Sequence, residues 1–216
     1  MWSNYFFVMG HSQEHKIKTH QRIVRAAAKR LREKGLDGVA IADLMKEVGL
    51  TVGGFYKHFN SRDDLVAESF RAAAGPWDKL LSVADSGGPA ITYESLVDAY
   101  LTQTHRDHPG NGCPISALVC DIARSGKQIR SLLTEQTESE IELLENSLPQ
   151  DDAAARSKAI LTVTASLGAV QLARAVTDQT LSREILESTR KILKQLASRN
   201  SDAKDRGKDS GKEHTE

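Results

Sequence analysis

Residues 41–59 constrain the fold more than any other part of this chain. The first half repeats apolar residues at the spacing of one helix face: Ile41, Leu44, Met45 and Val48. Gly49 stands where that helix has to end, and a second short helical pattern follows Thr51 and reaches Phe59. The spacing therefore predicts two short helices joined across a glycine turn, which is the helix-turn-helix arrangement.

The remainder of the chain also predicts helices, with almost no strand pattern. The expected helices cover residues 19–34, 61–74, 93–106, 114–124, 127–148, 153–177 and 182–198. Thr19, Thr51 and Ser61 are expected to be N-caps, and Gly35 and the pair Gly75-Pro76 are expected to end helices. We therefore expect an all-α protein in which an N-terminal three-helix domain precedes a larger C-terminal helical domain.

The two ends of the chain are expected to be disordered. Residues 200–216 contain Ala203 as their only apolar residue, which is too little to offset the entropy of ordering. Residues 1–15 are also expected to be disordered, and Met9 is an alternative start to Met1. The apolar stretch from Trp2 to Val8 lacks the basic lead-in of a secretion signal, and no run is long enough to span a membrane. These features predict a cytoplasmic protein without a membrane partner.

Charge is distributed unevenly along the chain. The formal net charge is +0, yet residues 1–75 carry 12 Lys/Arg against 8 Asp/Glu, whereas residues 76–200 carry 13 against 16. The last 16 residues carry 4 against 5. A basic N-terminal part on an acidic body is typical of a protein that presents one end to phosphate.

Gly53 and Gly54 stand inside the second short helix, where glycine is costly. Glycine in a helix interior loses about 0.5 to 1 kcal/mol relative to alanine. Small residues at this place let the backbone of the second helix approach the edges of bases in the major groove. The pair therefore indicates a DNA-reading helix rather than a helix selected for stability.

The string from Leu44 to Leu65, Leu-Met-Lys-Glu-Val-Gly-Leu-Thr-Val-Gly-Gly-Phe-Tyr-Lys-His-Phe-Asn-Ser-Arg-Asp-Asp-Leu, resembles the tetracycline-repressor (TetR) family of bacterial regulators. The resemblance covers about residues 16–75. It implies a DNA-binding domain at 16–75 and an effector-binding and dimerisation domain at 76–199. It further implies a homodimer that binds a palindromic operator in double-stranded DNA, usually as a repressor that a small molecule releases.

The resemblance also implies roles for single residues. Hydroxyl and imidazole groups of Thr51, Tyr56 and His58 would bind phosphates, and Lys57 and Arg62 would add positive charge. Val52 and Gly53 would face bases beside Gly54, while Phe55 and Phe59 would pack inward. One departure is Ala40, which stands where the family usually has a Ser or Thr cap. The alternative is that Tyr56, His58 and Phe59 are ordinary core residues of a helical bundle.

The C-terminal helices are expected to form the dimer interface. By resemblance, the interface would comprise Ile160, Val163, Leu167, Val170, Ile185 and Ile192. The alternative is an intramolecular core. Candidate effector residues are Trp77, His105 and Cys113.

Two sharper hypotheses concern the segment 105–114. His105, His108 and Cys113 are zinc-type ligands, but a proline-containing loop between helices explains the same residues without a metal and is the favoured interpretation. Cys113 precedes a predicted helix, a position that lowers a thiol pKa, so a thiol-based sensor is an alternative function. Cys120 is expected to be packed core. No catalytic or phosphate-loop motif is present, so we expect neither an enzyme nor a cofactor or metal. A DNA-binding protein without an effector is the remaining alternative.

Overall fold

The structure is a computed structural model that describes the backbone of residues 3–73 and 75–209 and the side chains of residues 13–73 and 75–197. These residues form α-helices and two 3-10 turns, with no strand among them, which confirms the all-α prediction. The chain divides into unit 1, Met1–Ala74 with Pro109–Leu133, and unit 2, Gly75–His108 with Thr134–Glu216. No helix in the described part is long and apolar enough to cross a bilayer.

The helices have the following bounds: α1 Ser3–Lys34, α2 Ile41–Glu47, α3 Val52–Phe55, α4 Arg62–Arg71, α5 Pro76–Asp85, α6 Tyr93–Tyr100, α7 Gln103–Asp107, α8 Pro114–Ala123, α9 Lys127–Asn146, α10 Ala155–Ala175 and α11 Gln179–Asp209. Unit 1 is organised around α1, which packs against α2, α4 and α8. Ile23, Ala27 and Leu31 of α1 are at most 1% exposed, as their helical spacing predicted. Gly35 ends α1 with a φ of 74°, a left-handed conformation that favours glycine.

Three predicted helix ends are wrong. Thr19 was expected to cap a helix, but it lies inside α1 and is 8% exposed. The backbone of α1 begins at Ser3 and that of α11 continues to Asp209, in stretches that were expected to be disordered. Neither extension contains proline, and a helix that is already nucleated by packing propagates at low cost. Residues 1–2 and 210–216 of the predicted tails lie outside the described residues.

Two further helices were not anticipated. No helix was predicted over Pro76–Asp85, where Pro76 is the first residue of α5 and the Gly75 N–H donates to Asp78 Oδ2 at 2.7 Å. The helix predicted over 93–106 is two helices, because Thr102 accepts a hydrogen bond from the His105 N–H at 3.0 Å and starts α7.

Unit 2 is built on the pair α10 and α11. The helix α6 packs against both of them and against α5, and α7 packs against α10. Val163 and Val170 of α10 are 2% and 0% exposed in the isolated chain. Their assignment to a dimer interface is therefore wrong, because they point into unit 2 and have no surface left for a second chain. Ile160 and Ile192 remain 43% and 57% exposed, and Leu167 and Ile185 are partly exposed.

Candidate nucleic-acid interface

The turn between α2 and α3 follows from one glycine. Gly49 has a φ of 70°, and its N–H donates to the Lys46 carbonyl at 3.1 Å. The Leu50 N–H then donates to the Met45 carbonyl at 2.7 Å, which closes the end of α2. Thr51 leaves the turn in an extended conformation with a ψ of 155°, so that α3 starts in a new direction. The predicted helix-turn-helix is thus present.

Two phenylalanines hold α3 and the turn after it in place. Phe55 is 0% and Phe59 is 4% exposed, and their rings stack with centroids 5.3 Å apart. The His58 and Phe59 N–H groups both donate to the Phe55 carbonyl, at 2.9 and 3.1 Å, which continues the helical path beyond the end of α3. The inward packing of both phenylalanines is as predicted, and it leaves the other side of residues 52–57 facing outward.

The outward side forms a surface that we call the reading surface: Thr51, Val52, Gly53, Tyr56 and Lys57. All five residues are exposed, and the large side chains of Val52 and Tyr56 are 47% and 67% exposed. An exposed tyrosine and valine do not fit the alternative of an ordinary helical core. They fit a surface that another molecule covers.

The two glycines of α3 occupy different environments. A Cβ at Gly53 would have no heavy atom within 4 Å outside its immediate neighbours, whereas a Cβ at Gly54 would lie 3.7 Å from both Met45 Cε and Thr51 Oγ1. Gly53 has no positive φ, so nothing within the folded chain requires glycine there. The absence of a side chain at Gly53 leaves free the volume next to its backbone on the exposed side of α3.

Caps are weak at both helices of the motif. Ala40 precedes α2 and provides no side-chain cap, in agreement with the departure seen in the sequence. Thr51 precedes α3, but its side chain makes no cap hydrogen bond, so the prediction that it caps α3 is wrong. Ser61 does cap α4, since its Oγ accepts from the Asp64 N–H at 3.0 Å. A threonine hydroxyl that caps nothing can serve a partner of the reading surface instead.

Arg62 has a structural contact that its sequence pattern did not predict. Its Nε donates to the Val39 carbonyl at 3.2 Å, and its Nη2 donates to the Leu36 carbonyl. These bonds hold the segment between α1 and α2 against α4, and the side chain is only partly exposed. Two of the N–H groups of the Arg62 guanidinium therefore position backbone within unit 1, and the phosphate contact predicted for this residue stays a prediction.

His58 lies beside a second histidine behind the reading surface. His20 Nε2 lies 2.5 Å from Glu68 Oε1, and the His20 ring stacks on Phe59 with centroids 4.5 Å apart. The ring centroids of His58 and His20 are 5.8 Å apart. Partial burial lowers the pKa of His58, and electrostatic interaction with the neighbouring basic side chains of His20, Lys16 and Lys57 lowers it further. His58 Nδ1 is buried and has no hydrogen-bond partner among the described residues.

A cleft of about 750 Å³ adjoins the reading surface. Its lining combines α1 with the turn and the residues after α3: His15, Lys16, Thr19, Gly49, Leu50, Thr51, Gly54, Lys57 and His58. The contribution of α1 was not predicted, because residues 1–15 were expected to be disordered. The run of His15, Lys16 and Lys18 ahead of the apolar stripe was the available signal.

The three candidate effector residues are divided between the two units of the chain. Trp77 Nε1 donates to the Leu96 carbonyl at 2.8 Å, and the Trp77 ring lies 4.7 Å from that of Tyr100. His105 lies edge-on to Tyr100 at 4.6 Å, with Nδ1 2.8 Å from the Tyr100 carbonyl. Trp77 and His105 therefore share one aromatic cluster within unit 2, while Cys113 belongs to unit 1.

Burial of the cysteines is the reverse of what the sequence suggested. Cys113 is 1% exposed, and Cys120, which was expected to be core, is exposed. The burial of Cys113 limits the access that a reactive thiol needs. Within the described residues, no group of three or more His, Cys, Asp or Glu side chains is placed to hold a metal ion.

Comparison with known proteins identifies the segment that contains the helix-turn-helix. The model of the family described as bacterial regulatory proteins, tetR family, matches residues 23–69. The uncharacterised HTH-type transcriptional regulator YvdT of Bacillus subtilis is 38% identical over 47 residues, which are 22% of this chain and 24% of that protein. An uncharacterised HTH-type transcriptional regulator of Mycobacterium tuberculosis is 29% identical over 99 residues, 45% of this chain and 50% of the relative. The chain thus spans between a quarter and a half of the length of these relatives.

Solved structures extend the likeness of fold beyond this domain. A TetR-family regulator from Cytophaga hutchinsonii superposes with a TM-score of 0.69 at 21% identity, over 84% of this chain and 96% of that one. A TetR regulator from Chloroflexus aurantiacus gives a TM-score of 0.61 at 24% identity, over 83% and 94%. At these identities the match shows the fold alone. The helix-turn-helix of residues 41–59 lies inside the segment that the family model matches, so residues 23–69 are a DNA-binding domain of the type found in the tetR family of bacterial regulatory proteins.

Proposed function

We propose that this protein is a cytoplasmic, DNA-binding transcriptional regulator that binds a palindromic operator as a homodimer and acts as a repressor released by a small molecule. The observation that carries DNA binding is the reading surface. A glycine with open space at its Cβ position stands between Val52 and the exposed side chains of Tyr56 and Lys57. That arrangement allows backbone to approach base edges while hydroxyl and ammonium groups bind the flanking phosphates.

Selection from a library of random double-stranded DNA tests this proposal. We expect recovery of a palindromic sequence, because a two-fold protein presents its two reading surfaces to two related half-sites. Binding should weaken steeply as salt rises, since each phosphate that is neutralised releases counterions. Enrichment of no sequence, together with a flat salt response, would refute DNA as the partner.

The homodimer is supported by the outer faces of α10 and α11. Large apolar side chains are exposed on both helices: Ile160 43%, Leu161 49%, Leu172 57%, Leu181 42% and Ile192 57%. The only charged residue between positions 157 and 172 is Lys158, which pairs with Asp152 at 2.7 Å. Ile185 and Leu196 extend the stripe on α11 at helical spacing. A face this apolar matches a second copy of itself across a two-fold axis.

Substitution of the apolar face tests the dimer. We expect Leu161→Glu or Ile192→Glu to give a monomer in sedimentation experiments. In a homodimer each substitution would bury two carboxylates, one from each chain, in an interface without water. Val83→Glu is the matched control, because Val83 is 54% exposed on α5 and lies outside this face. A monomeric wild type, or dimers in all three variants, would refute the assignment.

The effector part of the proposal assigns ligand sensing to unit 2. A ligand lowers operator affinity only to the extent that it binds the low-affinity conformation better than the DNA-binding conformation. The test is to measure operator affinity in the presence of a broad library of small molecules. Release by one class of compound would support a sensor, while unchanged affinity across the library would favour a DNA-binding protein without an effector.

A further inference from the structure

The exposed side of α1 carries a row of basic side chains. His15, Lys18, Arg22 and Arg25 follow one another at intervals of three, four and three residues, and all four are exposed. That spacing places them on one side of the helix. We call this row the α1 basic track, and at 1.5 Å per residue it is about 15 Å long.

The track begins at the edge of the reading surface. A second cleft, of about 440 Å³, is lined by His15, Lys18, Thr19, Gln21, Arg22 and Arg25. His15 and Thr19 also line the cleft that Thr51, Lys57 and His58 border. The two clefts therefore adjoin, and positive charge continues from the residues after α3 onto α1. All of these residues belong to unit 1.

Most of the charge on the track is not neutralised within the protein. Lys18 pairs with Glu14 at 2.6 Å, but both side chains are largely exposed, and such a pair is weak. Arg22 and Arg25 have no carboxylate partner among the described side chains. Like charges held on one helix side repel one another until an anion approaches, so the row is complementary to a polyanion.

We propose that the α1 basic track binds backbone phosphates of double-stranded DNA that lie beyond the half-site contacted by the reading surface. The inference rests on the proposed function and extends its DNA site. Phosphates of one strand follow each other every 3.4 Å along the duplex axis, so a track of about 15 Å spans about four of them. Such contacts increase affinity and fix the position of the protein on the duplex. They add no sequence preference, because an arginine or lysine that binds a phosphate does not contact the bases.

The test compares two variants of equal charge. Arg22→Gln/Arg25→Gln removes two cations from the track, and Arg183→Gln/Lys191→Gln removes two exposed cations from α11, off its apolar stripe. Each is titrated, over a series of salt concentrations, against a selected duplex with and without about one helical turn (10–10.5 base pairs) of flanking DNA on each side. Circular dichroism confirms that both variants keep their helix content.

With the flanked duplex, we expect the track variant to have a shallower dependence of log affinity on log salt. The slope should fall by about 0.9 for each phosphate that the variant no longer neutralises, which is nearly two for each bound protomer. The control variant should keep the slope of the wild type, and the track variant should keep the sequence preference of the wild type. On the duplex without flanks, the track variant and the wild type should have similar slopes.

Three results would overturn the inference while leaving the proposed function intact. They are an unchanged slope in the track variant, an equal change in the control variant, and an equal change on the duplex without flanks. Specific capture of an acidic protein by the track, with unchanged DNA affinity, would also overturn it. A wild-type protein that shows no salt-dependent binding to any duplex would refute the proposed function itself.

Discussion

The substitution Gly53→Ala should raise the stability of the fold while it lowers the affinity for DNA. Nothing in the folded chain lies within 4 Å of the place a Cβ would take, and the backbone φ is not positive. We therefore expect Gly53→Ala to stabilise unit 1 by about 0.5 to 1 kcal/mol, the helix propensity that glycine forfeits. For a protein of this size, that is a rise of about 1 to 4 °C in Tm.

The same substitution should weaken operator binding. The added methyl group occupies the space through which the backbone approaches the bases, and a disrupted base contact costs about 1 to 3 kcal/mol. A dimer carries the change twice, so even the lower value gives about 2 kcal/mol, or about a 30-fold loss of affinity. Equilibrium titration of the selected duplex measures the loss, and a thermal melt measures the gain in stability.

Gly54→Ala is the matched control for this experiment. Its Cβ would make ordinary contacts with Met45 and Thr51 at 3.7 Å, so it gains the same helix propensity with its methyl group turned inward. We expect Gly54→Ala to keep most of the affinity for the operator. Equal affinity of Gly53→Ala and wild type would show that Gly53 is not kept for close approach. A destabilised Gly53→Ala would contradict the open space on which the reasoning depends.

Three further predictions concern side-chain contacts and protonation. In equilibrium titration, Tyr56→Phe should lose part of the affinity for the operator, and Tyr56→Ala and Lys57→Ala should each lose more. Sedimentation and circular dichroism should be unchanged in all three variants. Full affinity in all three would contradict the phosphate contacts assigned to these side chains. Burial lowers the pKa of His105 to about 4. As pH falls from about 6.5 towards 4, the unfolded chain therefore binds a proton at this residue more readily than the folded chain, and the free energy of unfolding decreases. Urea unfolding at pH 7 and 4.5 should show that wild type loses about 2 to 3 kcal/mol more than His105→Gln, and equal losses would contradict the burial effect. The pKa of His58 is lowered in the free protein, and a phosphate would raise it, so operator affinity should increase as pH falls below neutral. Titrations at several pH values should show a weaker increase for His58→Gln, and identical pH profiles would exclude His58 from the site.

Local signals in the sequence were sufficient for the helix-turn-helix. Gly49 was identified from its position after an amphipathic repeat, and it takes the left-handed conformation that only a few residues tolerate. Ser61 was identified as a cap from the acidic residues behind it, and its hydroxyl accepts the expected bond. Phe55 and Phe59 are buried because their spacing places them on one side of a helical turn.

Interactions between segments distant in sequence could not be predicted in this way. Arg62 looked like a surface cation, but Val39 and Leu36 offer it carbonyl oxygens 23 and 26 residues away. Val163 and Val170 share a helical stripe with exposed residues, and only packing against the rest of unit 2 decides which of them are buried. Periodicity identifies an apolar face without identifying its partner.

The α5 helix has a start that could have been predicted from its residues. Proline at the first helical position and aspartate at the third are typical of a helix start, and both Pro76 and Asp78 have those roles. The same Gly75-Pro76 pair also follows the end of α4, so the pattern at these two residues fits both a helix end and a helix start. The boundary between the two predicted domains, near residue 75, stays a prediction, and unit 1 also takes residues 109–133.

Hydroxyl-radical footprinting of the selected duplex is the most direct test of the central claim, that residues 52–57 of two copies of this chain contact DNA as a symmetric pair. We predict two protected patches related by the two-fold axis of the palindrome, with centres one helical turn of about 10 base pairs apart or a multiple of it. Protection of a single patch, or of none at concentrations that saturate binding, would contradict the account.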